Sequence, residues 1–178
     1  MALLAETSDL DNVLKRLRQR HDGVRTGLKS LNGWEMESAA DTYGRIHTHP
    51  VPGTPLGGVQ VRTGEVKTLL TYVIRRVHSE VIELRAGDVT GWCPPDAVDD
   101  LLPESNLASG TAIRIRLSNQ LFAPQVVAAR AIVRDLDRVV GWGGDDACAD
   151  QSLFFIDVEP GAVSLSLVAQ RVRLSDLP

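Results

Sequence analysis

The run from Thr63 to His78 constrains the fold most, because its apolar residues Val66, Leu69, Leu70, Val73, Ile74 and Val77 recur at helical spacing over four turns. The stripe they form is broad, so this helix is expected to lie buried at the centre of the core. A buried helix needs elements packed around it, and the chain offers two further helices. Ser8 or Asp9 is placed to cap one in which Leu10, Val13, Leu14 and Leu17 follow the i, i+3, i+4, i+7 rule, with Lys15, Arg16 and Arg18 on the other face. Pro124 suits the first turn of another, which runs through Val126, Val127, Ala131 and Ile132 to about Asp135.

Strand patterns are read at Glu80 to Arg85, Thr111 to Leu117, Val139 to Trp142, Ser152 to Val158 and Ala162 to Val168. In the second, Ile113, Ile115 and Leu117 share one face while Ala112, Arg114 and Arg116 share the other. In the last, Val163, Leu165 and Leu167 alternate with Ser164 and Ser166. Helices and strands are therefore mixed, and the expected class is α+β, an antiparallel sheet with flanking helices.

A chain of 178 residues suits one core, and 43% hydrophobic residues are enough to fill it. The Pro- and Gly-rich pieces, Pro50 to Gly58 and Trp92 to Pro103, read as loops and not as domain linkers, so residues 1–178 are expected to form one domain. A net charge of −4 and a pI near 5.5 leave no basic footprint for nucleic acid. No apolar run approaches the ~20 residues that span a bilayer. The start, Met-Ala-Leu-Leu-Ala-Glu, has neither a basic leader nor a long apolar segment, which gives a cytoplasmic address as the expectation. Cys93 and Cys148 are too few for a disulfide framework and are expected to be reduced thiols.

Ser105-Asn106-Leu107-Ala108-Ser109-Gly110-Thr111-Ala112-Ile113-Arg114 is the stretch that points to a function. It resembles the S-x-H-x-x-G-x-A-x-D signature of the zinc D-Ala-D-Ala carboxypeptidase family, which includes L-Ala-D-Glu endolysins. Ser105, Gly110 and Ala112 stand where that family has them, whereas Leu107 and Arg114 replace its histidine and aspartate ligands. Gly141-Trp142-Gly143-Gly144-Asp145, followed by Ala149-Asp150-Gln151-Ser152-Leu153-Phe154, is similar to the family's W-G-G-D…D-E-M-H-F run, with Gln151 on the catalytic glutamate and Leu153 on the third ligand. Asn32-Gly33-Trp34, Val51-Pro52-Gly53-Thr54 and the helical run from Arg62 into Glu80-Val81 extend the likeness, which spans about Leu31 to Val158. Where the family offers a substrate-binding Tyr and Arg, Pro94 and Pro95 stand instead.

The substitutions change the chemistry that the resemblance implies. Catalytic zinc takes three protein ligands from imidazole and carboxylate donors and keeps one position for water. Leucine has no lone pair to give, an arginine is a permanent cation, and the amide of Gln151 does not titrate and so cannot act as general base. The expected protein is a catalytically inactive relative, a pseudoenzyme with no cofactor, that acts as a binding or structural component. Since peptidoglycan-hydrolase folds occur in phage tails and tail-like injection systems, a phage-like or cell-wall-associated assembly is its expected setting, with a protein or a peptidoglycan peptide as partner. The N-terminal helix within residues 1–20 and the tail at 170–178 are the candidate docking segments.

Arg114 is expected to pair with Asp150 or Asp157, tying two strands together. A sharper alternative has Arg114, with Ser105, still binding a peptide carboxylate. The rival function is an active peptidoglycan hydrolase, a D,D-carboxypeptidase or endopeptidase, whose metal has moved to His47 and His49. An H-x-H on an extended segment puts both imidazoles on one face, but two ligands fall short of a zinc site. The same His47-Thr48-His49-Pro50 opens the JAMM isopeptidase signature, which then fails because Gly58 and Val61 occupy its serine and aspartate positions. Cys93, between Trp92 and two prolines, carries no mark of a lowered pKa.

Overall fold

The computed structural model describes residues 2–147 and 149–176, with side chains described from residue 10 onward; Cys148, expected as a reduced thiol, and the last two residues of the tail lie outside the described residues. Along the chain run α1 (Ala2–Asp22), β1 (Arg25–Lys29), β2 (Glu35–Glu37), β3 (Ile46–His49), β4 (Val59–Arg62), α2 (Glu65–Glu80), β5 (Val89–Thr90), α3 (Ser105–Ala108), β6 (Ala112–Ile115), α4 (Ala123–Asp135), β7 (Val140–Trp142), β8 (Leu153–Ile156) and α5 (Val163–Ser175). The class is α+β, with antiparallel pairing throughout.

Helix α2 is the core helix that its stripe calls for: Val66, Leu69, Leu70, Val73, Ile74 and Val77 are all buried. It begins later than the helical run suggests, because Arg62 still belongs to β4 and Gly64 turns the chain at φ +84°. Helices α4 and α5 pack on α2. Four strands in the order β5-β6-β8-β7 form the main sheet, and β1–β2 and β3–β4 form two separate ribbons. In the centre of the sheet Ala112, Ile113 and Arg114 stand opposite Phe155, Phe154 and Leu153.

Alternation along β6 and β8 sends their side chains to two apolar clusters. Ile113, Ile115, Phe154 and Ile156 join the large core with α2, α4 and α5. Ala112, Leu153 and Phe155 form a small cluster with Leu107 from α3, and Cys93 packs against it. With all four residues of β8 buried, that strand reads as an unbroken apolar run.

Three local expectations are corrected. Glu80 to Arg85 is no strand: Val81 N and Ile82 N both donate to Val77 O, Leu84 N donates to His78 Nδ1 and Arg85 N to Asp88 Oδ2, so the backbone donors end the helix and close a turn. Ala162 to Val168 is no strand either but the start of α5, in which Leu165, Val168, Ala169 and Val172 are buried at helical spacing. Residues 170–175 of the tail therefore belong to a helix docked on α2. Ser8 and Asp9 are interior helical positions, since α1 begins at Ala2. The stripe of α1 is solvent-facing, with Leu10 64% and Leu17 46% exposed, where self-packing is the usual outcome.

Candidate functional site

The signature stretch folds as a short helix, a tight turn and a strand. Gly110 makes the turn possible: its φ is +68°, and a Cβ there would lie 2.8 Å from Ile46 Cγ1 and 2.9 Å from Arg62 N. Only glycine fits that backbone and that approach. The turn is locked to the Ser30–Trp34 loop by polar contacts. Leu31 N donates to Ser105 Oγ (2.9 Å), Asn32 N to Asn106 Oδ1 (3.2 Å), and Asn32 Nδ2 to Thr111 Oγ1 (2.9 Å) and Ile156 O (2.7 Å). Trp34 Nε1 completes the clamp on Val158 O at 2.8 Å. Thus Asn32 and Trp34 hold the loop while Ser105, Asn106 and Thr111 receive it, all three being buried.

The four substituted positions come together only in part. Leu107 and Leu153, each 2% exposed, meet in the small apolar cluster, and Arg114 sits opposite Leu153 in the sheet register. Gln151 is engaged elsewhere: its Oε1 accepts a hydrogen bond from Leu121 N at 2.8 Å and braces the loop before α4. Trp142 Nε1 donates to Gln151 O (2.9 Å), which fixes the backbone beneath it. The donor set does not fit zinc, since two of these positions hold leucines and a third holds a cation.

Arg114 Nη2 lies 3.1 Å from Glu104 Oε2 and 3.4 Å from Asp150 Oδ2, so of the two partners expected it takes Asp150. Glu104 was not singled out in the sequence, although its place just ahead of Ser105 brings it beside β6. One guanidinium between two carboxylates leaves the spot net negative, which opposes a peptide carboxylate. Ser105 is fully buried with its hydroxyl taken by Leu31. Both groups expected to bind a ligand, Arg114 and Ser105, are thus engaged within the protein. Burial raises the Cys93 thiol pKa, against a smaller opposing pull from Arg114, which is the opposite of the shift that activates a thiol.

His47 and His49 lie on β3, paired with Val61 and Val59 of β4. His47 Nε2 is within hydrogen-bond distance of Gly44 O (3.0 Å), whereas His49 Nε2 is buried with no partner. Among the described residues no group of three or more His, Cys, Asp or Glu side chains is placed to hold a metal ion. Among the described residues, then, the H-x-H pair has no third donor of the kind that a relocated zinc would need. Nor is any described helix long and apolar enough to cross a membrane.

Compared with family models, curated proteins and solved structures, the chain matches none.

Proposed function

We propose that this chain is a catalytically inactive, D-Ala-D-Ala-carboxypeptidase-like protein that works by binding, as a component of a phage-like or cell-wall-associated assembly. One observation carries the reading. Leu107 and Leu153, at two positions where the similar family has histidine ligands, belong to one small buried apolar cluster, and Arg114, at the third, pairs with Leu153 in the sheet register. Leu107 and Leu153 lie 46 positions apart in sequence, so local structure alone does not bring them into one cluster; a buried apolar cluster at these positions supports the reading that former ligand positions have joined the core. A buried apolar contact stabilises such a scaffold without a metal, at roughly 25 cal/mol per Å² of apolar surface.

The reading is tested by restoring Leu107→His, Arg114→Asp, Gln151→Glu and Leu153→His together. After dialysis against zinc, the restored variant is expected to retain about one zinc per chain, as a three-ligand site does. The parent chain is expected to retain none. A restored variant that folds yet retains no zinc would mean that these positions do not converge on an ancestral metal site. Stoichiometric zinc in the parent would favour the rival, a hydrolase with a relocated metal.

A further inference from the structure

A cleft of about 530 Å³, lined by Arg25, Lys29, Trp34, Glu35, Arg45 and Arg62 among others, gathers four cations in a chain whose net charge is negative. None of Leu107, Arg114, Gln151 or Leu153 lines it. Arg62 is the built part of the cleft. Its side chain is only 9% exposed, its Nε donates to Ser109 O (2.9 Å), its Nη2 to Glu35 O (2.7 Å), and its Cζ lies 5.5 Å from the centre of the Trp34 ring. Nη1 has no acceptor among the described residues.

The charges do not cancel locally. Arg25 is held by Glu35 at 2.7 Å, and Arg62 faces the buried Glu37 at 3.5 Å. Glu37 is further engaged by Arg45 N (2.9 Å) and Ile46 N (3.3 Å), contacts that fix the backbone from which the Arg45 side chain projects. Lys29 and Arg45 have no carboxylate within ion-pair distance among the described residues. Burial lowers the pKa of Arg62, and the neighbouring Arg45 charge lowers it further despite the opposing pull of Glu37. Arg45 and Lys29 line the same cleft as Arg62 and Arg25, so four cations are set against the two carboxylates Glu35 and Glu37, an excess that an incoming anion offsets. A second cleft, of about 360 Å³, shares Trp34, Arg45 and Arg62 and adds Arg173.

We propose that this cleft binds the dianion of a phosphate monoester, with Lys29 and Arg45 supplying the matching charge, Arg62 Nη1 donating a hydrogen bond and Trp34 giving a flat apolar wall to the esterified group. Two uncompensated cations match a phosphate monoester, whose charge near neutral pH is close to −2. Guanidinium groups suit its oxygens because they offer paired donors in one plane.

Calorimetric titration of the full chain with ribose 5-phosphate, at low ionic strength, tests the proposal. Saturable binding is expected, with Arg45→Gln and Lys29→Gln each weakening it by about tenfold or more at an unchanged thermal midpoint. Both side chains are exposed, so the fold survives their loss. Arg130→Gln, which removes a surface arginine paired with Asp145, is expected to leave binding as it was. Succinate carries the same charge without the tetrahedral oxygens and is expected to bind more weakly. No saturable binding to the parent, binding that survives Arg45→Gln and Lys29→Gln, or succinate binding as tightly as the sugar phosphate would each overturn the assignment.

Discussion

His49 shows how a single side chain sets a pH response. Its Nε2 is buried without a hydrogen-bond partner, and burial first, then the Lys67 and His47 charges, lowers its pKa below the ordinary 6.5. The unfolded chain therefore takes up this proton at a higher pH than the native one. Stability linked to His49 is intact above pH 6.5 and is lost progressively as the pH falls from there towards the lowered native value. In His49→Leu no group titrates at this position and no buried nitrogen lacks a partner. Denaturant unfolding at about pH 7.5 and about pH 5, the range in which histidine changes charge, is expected to show a smaller acid loss in the variant than in the parent. Equal losses would mean that His49 is solvated and not held neutral.

At the scale of elements, α5 gives the sharpest contrast. As a helix it buries Leu165 (1% exposed) and leaves Leu167 (61% exposed) in solvent, whereas a strand over the same residues would put both on one face. Leu165→Ala is expected to cost about 2–5 kcal/mol and Leu167→Ala less than about 0.5 kcal/mol, as read by equilibrium denaturation. Equal costs would contradict the helix. The alternation of Val163, Leu165 and Leu167 with serines misled the sequence reading because a short helix can carry the same spacing by accident, while the burial of Val168, Ala169 and Val172 depends on α2, which only the folded chain brings near. The stripe of α2, Pro124 at the start of α4, and the apolar runs of β7 and β8 were legible because each signal is local and long enough to be distinctive. Strands β1 to β3 were not, since Arg25–Lys29, Glu35–Glu37 and Ile46–His49 are mostly polar and carry no apolar run of the kind that marks β8, and β4 is too short for its alternation to stand out. In the site, Leu107, Arg114 and Leu153 could be read from motif spacing, but Glu104 as a partner of Arg114 and Leu121 as the partner of Gln151 arise from tertiary approach alone.

Helix α1 poses the opposite case, an amphipathic element whose apolar stripe faces solvent. Among the described side chains, none from residues 10–20 belongs to either core cluster. On deletion of residues 1–20 the truncated chain is expected to stay folded, with a thermal midpoint within about 2–4 °C of the parent, the shift that about 1 kcal/mol produces in a domain of this size. Unfolding or aggregation on truncation would make α1 part of the core.

For the molecule as a whole, the central sheet separates two environments. One face carries the large core with α2, α4 and α5, and the other carries the small cluster of Leu107, Ala112, Leu153 and Phe155, edged by the Arg114, Glu104 and Asp150 ion pairs. If that second face is a former metal site closed with apolar side chains, the chain has a peptidase scaffold and nothing to polarise a peptide carbonyl or activate water within it. A catalytic zinc brings the pKa of its bound water down to about 7, and neither leucine nor a glutamine amide substitutes for that. The most direct measurement is incubation of the full chain with muropeptides and with peptides ending in D-Ala-D-Ala, with and without added zinc, the products being resolved by mass spectrometry. No cleavage above background is expected in either condition. Turnover that a chelator abolishes would contradict the account.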